Sequence, residues 1–146
     1  MTPAGAFPRG GDTGSITLEL TILTPAILLL LGLVVVAGRI EIANQAIDGA
    51  SQAAAREASL ARTPQAARAA ATRAATENLA AHNLHCTGVT VSVDTAGFAV
   101  AVGTPAQVTA RVTCTLDLGD LSVPGVPGSR SLTSQSVSVL DTYRAR

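Results

Sequence analysis

From Leu20 to Gly38 the chain runs for 19 residues without a charged side chain. At about 1.5 Å per helical residue this run spans roughly 28 Å, close to the hydrocarbon thickness of a bilayer. Leu28-Leu29-Leu30-Leu31 and Val34-Val35-Val36 make it apolar on every side, leaving no face suited to water. The whole protein has 146 residues, so about a hundred come after the run, enough for one small core. A domain of that size has too little surface to bury such a helix, and the run reads as a membrane span. Glu19 stands directly in front of it as a lone carboxylate.

Composition limits the domain beyond the span. Phe7, Phe98 and Tyr143 are the whole aromatic set, so the core must be built from Ala, Val and Leu. The ten basic residues are all Arg and spread along the chain, and formal net charge is zero. A basic patch with interleaved aromatics is missing, which argues against nucleic-acid binding. Phosphate-cradling Gly-rich loops, a Gly-x-Ser-x-Gly elbow and a helical His pair with Glu are also missing, so the chain is expected not to be an enzyme and to need no cofactor.

Residues 1–14 are rich in Gly and Pro and read as a disordered leader. A helix is expected from Ser15, with Pro25 kinking it inside the span, a feature membrane helices tolerate. After Arg39 the pattern turns amphipathic: Ile40, Ala43, Ile47, Ala50, Ala54 and Ala58 recur at steps of three and four, as far as about Leu60. Thr63-Pro64 supplies an N-cap and a first-turn proline for a second helix over about 64–83, with Ala67, Ala71, Ala75 and Leu79 on its buried face.

From about residue 88 the period becomes two. Val89, Val91 and Val93 form one strand; Thr95-Ala96-Gly97 turns the chain into a second, with Phe98, Val100 and Val102 alternating. The longest strand carries Val108, Ala110, Val112, Cys114, Leu116 and Leu118 on one face. A loop over Gly119–Ser129 leads to a last strand from Arg130 to Leu140, where a change of parity between Leu132 and Val137 suggests a bulge. The sum is an α+β fold, with about four antiparallel strands covered by the outer half of the first helix and the Ala-rich second one. Its organisation is a leader at 1–14, a transmembrane helix at 15–38 and an extracytoplasmic α+β domain at 39–146.

Cys86 and Cys114 form an even pair downstream of a targeting segment, which predicts a disulfide in an oxidising compartment and places the C-terminal part outside. Two buried thiols are one alternative. A metal site with His82 and His85 is the other, disfavoured because the adjacent His85 and Cys86 rarely ligate one ion without strain.

A leader ending in Gly14, a first mature residue Ser15 and a glutamate at the fifth position, Glu19, all ahead of an apolar helix, resemble the type IV pilin and pseudopilin class. Gly-Ser-Ile-Thr-Leu-Glu-Leu at 14–20, the close of the run at Ala37-Gly38-Arg39, an Ala-rich helix and the ending Asp141 to Arg144 are similar to TadE-like proteins of tight-adherence (Flp) pilus systems. In that system Tyr commonly follows the glutamate; here it is Leu20. The resemblance implies a minor pseudopilin of a thin adhesive pilus or secretion system, cut by a prepilin peptidase between Gly14 and Ser15. It also implies partners among other pilus subunits, the inner-membrane assembly platform and membrane lipid. Glu19 would pair with a neighbour's freed N-terminus, against the plainer reading in which it only favours the positive end of the helix dipole. Two alternatives remain open. One is an unprocessed, single-pass envelope protein with a binding ectodomain; the other is a secreted protein released by a signal-peptide cut after Ala37.

Overall fold

The structure, a computed structural model, describes the backbone over residues 13–117 and 128–143, and side chains from Leu20 onward within those limits. The leader, most of the loop after the longest strand, with Leu118, and the last three residues lie outside it. The chain divides into two compact units, Met1–Ala37 and Gly38–Arg146.

Helix α1 spans Thr13–Leu60 and runs through Pro25 without interruption. In the first unit its apolar side chains are exposed: Leu29 is 76% and Ile22 68% accessible. Hydrocarbon left open to that degree has no stable place in water. Thr24 turns its hydroxyl back to the Leu20 carbonyl at 2.6 Å, so a polar side chain in the run finds its partner within the helix. A helix of this length and apolarity can cross a membrane.

The second unit holds the core. Helix α2, Pro64–Ala81, starts where the sequence places it: Thr63 Oγ1 accepts from the Ala66 amide at 3.2 Å, and Pro64 takes the first position. Its buried residues are Ala67, Ala71, Ala75 and Leu79. Strands β1 (Gly88–Asp94), β2 (Ala106–Asp117) and β3 (Ser129–Leu140) make one antiparallel sheet in the order β1-β2-β3. The buried face of β2 is Val108, Ala110, Val112, Cys114 and Leu116. These pack in one cluster with Ala43, Ile47, Ala50, Ala54 and Ala58 of α1 and the alanines of α2. The outward face of the sheet carries hydroxyl pairs, Thr113 with Thr133 at 3.0 Å and Thr115 with Ser131 at 3.2 Å.

Two expectations are corrected. The strand predicted over Phe98, Val100 and Val102 does not form; Ala96–Ala99 is a 3₁₀ turn, and the described sheet has three strands. The Asp94 carboxylate accepts the Ala96 amide at 2.9 Å, which starts a tight turn. Gly97 then passes so close to β2 that a Cβ would stand 2.2 Å from the Gln107 carbonyl oxygen. That approach tucks Phe98 against the core cluster instead of sending it along a strand.

The bulge in β3 is also absent. Its register with β2 is unbroken from Ala106↔Leu140 to Asp117↔Ser129. The parity does not change. Ser134, Ser136 and Ser138 are the half-buried residues between Leu132 and Leu140, and Val137 and Val139 face outward at 53% and 78% exposure.

Those inward serines meet the helix. Ser51, fully buried, donates to the Asp48 carbonyl at 3.0 Å and lies 3.1 Å from Ser134 Oγ and 2.7 Å from Ser136 Oγ. With Ser134 and Ser136 as donors, its one proton and two lone pairs are all used. Ser138 donates to Ser59 at 3.0 Å, and Ser59 donates to the Arg56 carbonyl at 2.7 Å. β3 is therefore joined to α1 largely through hydroxyls.

Candidate functional site

The residues singled out at the N-terminus lie on consecutive turns of one helix. α1 begins at Thr13, so the Gly14–Ser15 bond falls in its first turn. Glu19 is four residues past Ser15, about 6 Å along the axis and on the same side of the helix. Their side chains lie outside the described part of the structure. From Leu20 to Val35 the helix offers apolar surface only, broken by Thr21, Thr24, Pro25 and Gly32.

Cys86 and Cys114 are joined, their Cα atoms 5.5 Å apart. Cys114 is buried on β2 by the alternation of that strand, while Cys86 sits in the connection after α2. Thr87 supports the same junction, its amide and hydroxyl both donating to the Thr115 carbonyl at 2.8 and 3.0 Å. The bond consumes both sulfurs. Among the described residues no three of His, Cys, Asp and Glu group closely enough to hold a metal ion.

His82 and His85 flank the sharp turn that ends α2. Asn83 takes a left-handed conformation, φ 52°, and the His82 ring Nδ1 lies 2.9 Å from the Asn78 carbonyl oxygen. Both residues line a cavity of about 220 Å³ whose wall also includes Arg39, Ile42, Leu116 and Asp117. Among the residues that line it, no Ser, Thr, Cys or Lys stands beside the two histidines.

Ser51 and the serine row of β3 escape a reading of the sequence alone. The signal is present: Ile47, Ser51 and Ala55 lie at helical spacing on the apolar stripe, and Ser134, Ser136 and Ser138 alternate. A helix that places one serine among alanines, opposite a strand that does the same, calls for hydroxyl pairing.

Set against known proteins, residues 14–56 match the family model described as TadE-like protein. The match covers the apolar segment and most of the amphipathic part of α1, and less than a third of the chain. It leaves α2, the disulfide and the sheet outside it. No curated protein and no solved structure matches the chain significantly.

Proposed function

We propose, from a TadE-like stretch over residues 14–56, that this chain is a minor pseudopilin in the assembly of a tight-adherence pilus. The observation that carries the reading is the coincidence of that match with α1. The matched residues begin at Gly14, one residue into the helix, and continue through the exposed apolar segment into the alanine face of the folded unit. A TadE-like segment ties the chain to pilus assembly; the exposed hydrocarbon gives it a bilayer to sit in.

In this reading a prepilin peptidase cuts between Gly14 and Ser15, and the chain has no catalytic activity of its own. The disulfide-bonded unit lies outside the cytoplasm, where such a bond persists. Glu19 supplies the assembly chemistry. A carboxylate within a span costs about 2.5–3.5 kcal/mol at mid-membrane, and pairing with a neighbour's freed N-terminal ammonium offsets that cost. Other pilus subunits and the inner-membrane platform are the partners.

N-terminal sequencing of the membrane-bound protein tests processing: a chain starting at Ser15 supports it, and an intact Met1 removes it. Release of a soluble product starting at Gly38 would instead establish a cleaved signal peptide. Glu19→Gln should leave membrane insertion unchanged while reducing pilus number on the cell at least several-fold. Normal piliation in that variant would end the case for Glu19 as the docking residue.

A further inference from the structure

We propose that the outer edge of β3 takes up an extended, uncharged segment of a second protein as a further strand of the sheet. Strand addition of this kind needs only the folded unit, and no role in pili.

β3 pairs with β2 on one side, and among the described residues no hydrogen bond from another element reaches its main chain on the other. An edge strand turns part of its N–H and C=O groups away from its neighbour, which leaves a row of donors and acceptors at strand spacing. Another extended backbone matches such a row; a small molecule does not. The usual protections of an edge are missing. From Ser131 to Leu140, ten residues or roughly 34 Å, β3 has no charged side chain and no proline, and its register shows no bulge. β1, the opposite edge, is seven residues long, ends on Asp94 and lies beside α2. Among the described elements, one edge is shielded and the other is open.

Side chains along β3 narrow the ligand. Val137 and Val139 project outward beside Thr109 and Gln107 of β2, 53% and 78% exposed, and an aliphatic residue on an added strand would cover them. The half-buried Ser134, Ser136 and Ser138 line the inward side, which suits small hydroxyl side chains. A charge on the incoming strand would meet no counter-charge on β3 between Arg130 and Asp141. A second copy does not fit. β3 and α1 run in the same sense, since Ser51 meets Ser134 and Ser136 while Ser59 meets Ser138. Pairing two β3 strands antiparallel about a two-fold axis would reverse α1 and set the two Gly38 ends at opposite ends of the joined sheet. Copies anchored through Leu20–Gly38 in one membrane need those ends on the same side.

The test uses the full chain in detergent micelles and a synthetic probe, an eight-residue peptide of alternating Val and Ser with a two-lysine tail for solubility. Hydrogen exchange read by mass spectrometry should show the amides of Ser131–Leu140 slowed at least fivefold by saturating peptide, with those of Gly88–Asp94 unchanged. The same peptide with proline at its two central positions cannot complete the row of hydrogen bonds and should give no protection. Val137→Lys with Val139→Lys, both at exposed positions, should weaken peptide binding at least fivefold by fluorescence anisotropy while leaving the circular dichroism spectrum unchanged. Protection at Gly88–Asp94 instead, equal protection by the proline peptide, undiminished binding by the lysine variant, or no protection of β3 overturns the proposal. Protection of β3 that rises with protein concentration in the absence of peptide would show pairing between copies and overturn the choice of occupant. Should the lysine variant fail to fold, the exchange pattern of wild type with the two peptides decides alone. Pilus counts and N-terminal sequencing play no part, so failure here leaves the pseudopilin reading to its own tests.

Discussion

At Gly97 a methyl group would collide with backbone. A Cβ there would stand 2.2 Å from the Gln107 carbonyl oxygen and 3.0 Å from Leu140 Cδ1, and the first of these cannot swing away. Gly97→Ala should therefore destabilise the folded unit by about 2 kcal/mol or more, read as a fall in the denaturation midpoint. Ser51 makes the opposite case, a side chain whose removal hurts through what it leaves behind. Ser51→Ala strands two inward hydroxyls and should cost about 1–3 kcal/mol, whereas the triple change with Ser134→Ala and Ser136→Ala should recover much of the loss. Chemical denaturation of wild type and these variants checks both halves of that statement. The two residues hide in the sequence for different reasons. Gly97 reads as an ordinary turn glycine because its constraint comes from β2, which approaches from elsewhere in the chain. Ser51 is concealed inside an otherwise apolar stripe, and only the facing strand makes it informative.

The helices are the easiest elements to read, since the same residues that set their period also form their contacts. Ala67, Ala71, Ala75 and Leu79 are the buried residues of α2 because a four-residue step keeps one line on one side. The N-cap at Thr63 is local chemistry and equally legible; Thr63→Ala should cost about 1 kcal/mol by thermal melting. Strands are harder. Alternation alone cannot separate Phe98, Val100 and Val102 from a true strand, and a side chain's polarity misreports its face when serines point inward and valines outward, as on β3. The junction of α2 with β2 depends on Cys86–Cys114, which closes a separation of 28 residues. By loop-closure entropy the bond contributes about 3–4 kcal/mol, so Cys86→Ser with Cys114→Ser should lower stability by that order in a urea titration.

On the scale of the whole molecule, every fully buried apolar residue among those described belongs to Gly38–Arg146, from Ala43 to Leu140. A fragment beginning at Gly38 should consequently stay in solution without detergent, keep its disulfide and melt cooperatively, which circular dichroism and a non-reducing gel can establish. The apolar segment contributes nothing to that core and reads as a span on length and exposure alone; Gly14, Ser15 and Glu19 draw their interest from the match over residues 14–56. The hydroxyl row along β3 bears on how the folded unit answers force. Parting α1 from β2 would open aliphatic surface to water, but parting it from β3 exposes serines that water can satisfy in place of one another. Tension applied along α1 would peel the unit from its β3 side, where each step costs little, while the β2 side holds. The grip on the helix is graded across its width, and a load finds the compliant seam first.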